Sequence, residues 1–260
     1  MAKVISVAIQ KGGVGKSTIT CVLAHLLSKD HKVLVIDMDG SQCNATKTLL
    51  GINPFGLSEH TVYHALLEED ARKHILKTLN ENIHVLAGSP YVSTMGEYFY
   101  VQLPKRKKTH HFLLKETIKS IRDYYDYILI DGCPSLGEPM VMSLATSDFL
   151  LIPFETSELC EFSLKIFWDT INSVKKNLNP DLDVVGILRC LIDVRRKDNE
   201  YYSEKVQKDY GDLVFETIIK RSAVAGRLHS YGVHENPEIR QVEKFFKPMK
   251  EELLCRLNQK

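Results

Sequence analysis

Apolar positions along the chain come in two patterns that alternate from one end to the other. Short runs such as "VLVID", "YILID" and "FLLIPF" are continuously apolar, as strands buried on both faces of a sheet must be. They predict strands over residues 4–9, 32–37, 83–87, 127–131, 149–153, 183–191 and 213–217. Between them, residues 17–28, 111–122 and 159–178 repeat their apolar positions every three or four places and predict amphipathic helices. Strand and helix in regular alternation predict a doubly wound, mostly parallel α/β sheet with helices on both faces.

A length of 260 residues suits one sizeable domain spanning residues 1–260. Charge narrows the partners little: 34 Lys and Arg stand against 33 Asp and Glu, so a nucleic-acid surface has to be a local patch. The six cysteines are scattered without a C-x-x-C pair, which argues against a disulfide framework or zinc site and for a reducing cytoplasm. No apolar run approaches the length of a membrane span, and the N-terminus enters a strand at once, without a signal peptide. The basic run "PKRKKTHH" reads as a loop, and its His110–His111 pair has no third ligand at metal spacing.

The chemistry concentrates where the first strand ends. "IQKGGVGKST" places Gly12, Gly13, Val14, Gly15, Lys16, Ser17 and Thr18 between a strand and a helix. In that setting backbone N–H groups cradle a polyphosphate at the positive end of the helix. Lys16 would reach the β- and γ-phosphates and the Ser17 hydroxyl would ligate Mg²⁺. Gln10 holds the place of the usual first glycine, and Lys11 adds a second cation. Asp37 and Asp39 end one apolar strand and Asp131 ends another. Beyond the carboxyl ends of a parallel sheet these carboxylates converge: Asp37 and Asp131 on Mg²⁺ and its waters, Asp39 on an attacking water.

These motifs resemble the deviant Walker A ATPases of the ParA type, close to the Soj-like branch. "DMDGSQCNAT" resembles the family's switch I, and "YDYILIDGCPSLG" resembles its Walker B strand and switch II. "LLIPFETSE", "GILRCLIDVR" and "VFETIIKRS" follow in the family's order. The resemblance implies a weak, Mg²⁺-dependent ATPase that cycles between a monomer and an ATP-sandwich homodimer. Lys11 would then reach the partner protomer's phosphates, as an arginine finger does in trans. The family's dimers bind DNA without sequence preference, and a ParB-like centromere-binding partner stimulates hydrolysis. That implies a cytoplasmic, nucleoid-associated protein which moves plasmid or chromosome.

Three departures qualify the resemblance. Switch I is one residue longer, with Gly40 and Ser41 ahead of Gln42. Switch II has Cys133 where the first of two prolines usually stands, which reads as an inert loop cysteine. Of two arginines used for DNA, one matches Arg195 while the other falls on Val224. Arg196, Lys197, Lys220, Arg221 and Arg227 could rebuild the patch, since phosphate contact needs clustered cations and not one geometry. The rival readings are a MinD-like membrane-positioning ATPase, a ParA-like positioner of non-DNA cargo and a non-hydrolysing regulator. A terminal helix packed on the core, interrupted or started by Pro248, is expected over a membrane-inserting one.

Overall fold

The computed structural model describes residues 1–105, 109–192, 197–234 and 236–260. Among the described residues, eight strands form one sheet: β1 (Lys3–Val7), β2 (Val33–Asp37), β3 (Leu76–Lys77), β4 (Ile83–Leu86), β5 (Tyr127–Asp131), β6 (Phe149–Glu155), β7 (Asp183–Ile192) and β8 (Val214–Lys220). Their order across the sheet is β3-β4-β2-β5-β1-β6-β7-β8. Every pairing is parallel except β3 with β4. The seven strands expected from the apolar runs are all present. The antiparallel edge strand β3 was not expected, because two residues carry no periodicity to read.

Helices cover both faces. In chain order they are α1 (Lys16–Leu27), α2 (Asn44–Leu50), α3 (Val62–Glu68), α4 (Leu103–Lys105), α5 (Leu113–Ile118), α6 (Glu138–Thr146) and α7 (Glu158–Asn177). Then follow α8 (Lys197–Tyr210), α9 (Ala223–Gly226), α10 (Leu228–Tyr231) and α11 (Ile239–Asn258). The period-two geometry of a strand divides the core between them. Ile5, Val35 and Leu129 pack with α1 and α11 on one face, whereas Val4, Leu34 and Ile128 pack with α3 and α5 on the other. Beyond β1 toward β7, Leu150, Ile152 and Phe154 pack with α6 and α7.

Two expected boundaries move. The helix expected over 111–122 is a 3₁₀ turn, His110–Phe112, a short α5 and a second turn, Arg122–Tyr124. Pro248 neither starts nor breaks the last helix: α11 runs straight through it. Burial of Val242, Phe246, Met249, Leu253 and Leu257 along one face outweighs the roughly 3 kcal/mol a mid-helix proline costs. The terminal helix is thus packed on the core, as expected. Among the described residues no helix is long and apolar enough to cross a membrane.

Strand order reverses around β1, whose neighbours are β5 and β6. The register sets Asp131 level with both Val7 and Asp37, so the ends of β1, β2 and β5 open into one crevice.

Candidate functional site

The turn leaving β1 is built for backbone donors. Gly13 and Gly15 adopt φ of 75° and 87°, and Gly15 caps α1 in the left-handed conformation. A Cβ at either glycine would meet nothing within 4 Å, so glycine is required there for backbone shape and not for room. The first turn of α1 has no acidic residue, which leaves its positive end and free N–H groups facing the crevice. Lys16 is buried, and its Nζ donates to the Lys11 carbonyl at 2.7 Å. Burial lowers its pKa, against the opposing fields of Asp131 and Asp39.

The carboxylates converge as the sequence predicts. Asp37 and Asp131 are fully buried and stand side by side at the ends of β2 and β5. Asp37 Oδ2 accepts from the Thr46 amide at 2.8 Å and the Thr46 hydroxyl at 2.7 Å. Burial nonetheless lifts its pKa to about 6, with Asp39 adding to the rise. Asp131 lies well above the usual carboxylate range because of burial and then Asp37, with Ser17 and Lys16 pulling the other way. Its Oδ1 accepts from Thr20 at 3.4 Å, while its Oδ2 is buried and has no hydrogen-bond partner among the described residues. An unpartnered carboxylate oxygen beside a hydroxyl and a second carboxylate is a donor set suited to a hard dication. Ser17, Asp37 and Asp131 therefore fit Mg²⁺.

Asp39 is nearly buried and is engaged by its own loop. The Ser41 hydroxyl donates to Asp39 Oδ1 at 2.5 Å and the Ser41 amide at 3.1 Å. The extra residue of the loop thus caps this carboxylate. Gly40 answers a contact on its other side, where an added Cβ would sit 2.7 Å from the Ser89 carbonyl. A cavity of about 370 Å³ opens between these parts, lined by Lys16, Thr18, Asp39, Asn44, Pro134 and Arg221.

Some residues that shape the site carry little sequence signal. Thr20 is legible one helical turn beyond Lys16, on the same face of α1. His229, far along the chain, is not. Thr48 donates to the Asn44 carbonyl at 2.7 Å, so His229 Nδ1 donates to Thr48 at 2.8 Å and Nε2 accepts from Thr18 at 3.2 Å. Burial, then Lys47, lowers its pKa, so a neutral imidazole pins α10 to both α1 and α2.

The expected basic patch divides. Arg195 and Arg196 lie outside the described residues, as do residues 106–108 of the basic run; so does the Lys197 side chain. Lys220 is exposed at the end of β8. Arg221 lines the cavity and comes within 3.5 Å of Glu155. Arg227 forks onto Glu238 at 2.6 and 3.1 Å. Val224 is a core residue, packed with Leu228, Val242 and Phe246. Lys11 is half-buried, and among the described residues its side chain makes no hydrogen bond or ion pair. Cys133 donates to the Ser135 carbonyl, and burial pushes its thiol up to about 11, a protonated and inert loop cysteine.

Comparison with known proteins agrees with this geometry. Residues 2–184 match the family model described as an AAA domain. The sporulation initiation inhibitor protein Soj of Bacillus subtilis is 33% identical over 234 residues, 89% of each chain. A plasmid partition protein of Borrelia burgdorferi bound to AMPPNP superposes with a TM-score of 0.76 at 26% identity, covering 100% of this chain and 99% of its own. Apo McdA of Cyanothece shares the fold, with a TM-score of 0.84 at 23% identity over 99% and 100% of the two chains.

Proposed function

Since the chain belongs to the ParA/Soj-type P-loop ATPases, we propose that it is a Mg²⁺-dependent partition ATPase whose ATP-bound homodimer binds DNA. One observation carries the reading. Lys16, Ser17 and three strand-end carboxylates meet at a glycine turn that opens a helix, with one oxygen of Asp131 left for a metal.

Each part then has a task. The backbone N–H groups of Gly12, Gly13, Val14, Gly15, Lys16, Ser17 and Thr18 hold the phosphates of ATP, and Lys16 leaves the Lys11 carbonyl to meet the β- and γ-phosphates. Ser17, Asp37 and Asp131 hold Mg²⁺ directly or through its waters. When bound, Mg²⁺ offsets the charge on the phosphate oxygens and screens the two crowded carboxylates from each other. Asp39, released from Ser41, orients the attacking water. Lys11 crosses to the partner protomer's nucleotide, so a complete site forms only in the dimer. Arg221 lines the wall of the cavity and positions the nucleotide.

The reading takes residues 1–260 as one domain in the cytoplasm, associated with the nucleoid. DNA contact falls to Lys220 and to Arg195 and Arg196, with Arg227 joining if Glu238 releases it. A ParB-like partner is supported by the likeness to Soj and to the Borrelia partition protein. The packed apolar face of α11 speaks against the MinD-like alternative.

Phosphate release from ATP, with Mg²⁺ or with chelator, and a DNA mobility shift with and without ATP test the proposal together. Mg²⁺-dependent turnover and an ATP-requiring shift that weakens steeply with salt are expected. Turnover no faster than that of Lys16→Ala would favour a non-hydrolysing regulator. Turnover without any shift at low salt would point to cargo other than DNA.

A further inference from the structure

His110 and His111 lack a third ligand nearby in sequence, yet the fold supplies one. Glu138, the first residue of α6, comes back against the 3₁₀ turn His110–Phe112, and one donor atom from each of His110, His111 and Glu138 lies within 4.8 Å of the other two. The expectation that the histidine pair stands alone is thereby corrected: the third group comes from across the fold, where spacing along the chain cannot reveal it.

The cluster has features that simple packing does not require. His110 is more than nine-tenths buried, and its Nε2 sits 2.6 Å from Glu138 Oε2. The same Nε2 is nevertheless buried without a well-directed hydrogen bond among the described residues, so nitrogen and carboxylate are close but not aimed at each other. A dication would take the place of this unaimed contact by moving the nitrogen and the carboxylate apart. Outer partners are also in place. Thr109 Oγ1 lies 2.9 Å from His111 Nδ1, which leaves Nε2 as that ring's donor atom, and the Tyr100 hydroxyl donates to Glu138 Oε1. Partners of this kind fix the tautomer of a ligating histidine and the orientation of a ligating carboxylate.

We propose that His110, His111 and Glu138 form a site for a first-row transition-metal dication of the zinc class. Two imidazoles and one carboxylate, with water in the fourth position, are a donor set such ions accept and Mg²⁺ does not favour. At metal–ligand distances of about 2.0–2.1 Å, tetrahedral donors stand roughly 3.4 Å apart. The two imidazoles are stacked, with centroids 4.1 Å apart and 29° between their planes, so binding requires the rings to turn until their lone pairs converge. The site is separate from the nucleotide crevice, but Glu138 directly follows residues 133–137, the loop that continues from Asp131. A bound metal would tether the downstream end of that loop to the turn at His110.

The test uses the full chain, stripped with chelator and re-equilibrated in Mg²⁺ without nucleotide, so that hard-cation sites are filled. Co²⁺ is then titrated and followed by its visible d–d absorption, with Zn²⁺ as competitor. One Co²⁺ per chain is expected, displaced by Zn²⁺, with no near-ultraviolet thiolate band. His111→Ala and Glu138→Gln, each checked for folding by circular dichroism, should weaken binding about tenfold or more. Absence of saturable binding, a thiolate band placing the ion on Cys255, or unchanged affinity in both variants would overturn the proposal.

Discussion

Lys16 donates its ammonium group to the main-chain carbonyl of Lys11 at 2.7 Å, so the two lysines of the glycine turn are joined through backbone and not through like charge. The contact holds Lys16 inside the loop before any phosphate arrives, and any residue at position 11 supplies the same carbonyl. The two lysines should therefore separate cleanly on mutation. Lys16→Ala is expected to weaken binding of a fluorescent ATP analogue about a hundredfold or more, because a nearly buried cation facing the phosphates is lost. Fluorescence titration checks this; affinity within threefold of wild type would contradict it.

The stabilising contribution of the two buried carboxyls should fall as pH rises. Asp37 has its pKa lifted from 3.8 to about 6, and Asp131 lies higher than an ordinary carboxyl as well. The folded chain thus binds more protons than the unfolded chain above about pH 4, and stability declines as these groups ionise. Without nucleotide, the contribution of these groups should lower Tm between pH 5.5 and pH 7.5, against the opposite contribution of histidines held neutral in the fold such as His229. Asp131→Asn should flatten that slope while abolishing turnover. Mg²⁺ with ADP should raise Tm more at pH 7.5 than at pH 5.5. Thermal melts across pH read all three effects, and a slope unchanged by Asp131→Asn would refute the assignment.

Ser41 restrains Asp39 through two hydrogen bonds to one oxygen. If Asp39 orients the attacking water, loosening it should help turnover. Ser41→Ala is expected to raise kcat about threefold with little change in KM, since the hydroxyl donates to the Asp39 carboxylate. Steady-state phosphate release decides, and a fall in kcat would assign Ser41 a direct role instead.

Gly40 has no room for a side chain. A Cβ there meets the Ser89 carbonyl, a backbone atom that cannot rotate away. Gly40→Ala should cost about 1–3 kcal/mol and lower Tm by about 3–8 °C. Gly12→Ala, with open space around its Cβ and no positive φ, should melt within about 1 °C of wild type. Equal melting of the two variants would show that the contact is relieved at no cost.

What the sequence made legible follows from how local each signal is. Seven strands were readable because each is an unbroken apolar run, and Lys16, Ser17, Asp37, Asp39 and Asp131 because each stands at a strand end or helix start. The edge strand Leu76–Lys77 is too short to have a period. His229 and Glu138 act across the fold, and no spacing along the chain brings them near Thr18 or His110. Pro248 misled because propensity is local, whereas the burial that overrides it comes from α1 and the sheet. Arg221 appeared as a surface cation in a basic stretch; only the parallel pairing of β7 with β8 turns it toward the nucleotide cavity.

If Lys11 completes a site in the partner protomer, dimerisation depends on it, and sedimentation velocity with ATP and Mg²⁺ is the decisive experiment. Wild type should shift from monomer to dimer as ATP is added. Lys11→Ala, with its nucleotide affinity shown to be intact, should remain monomeric. A dimer of Lys11→Ala forming at the same ATP concentration as wild type would refute the shared site.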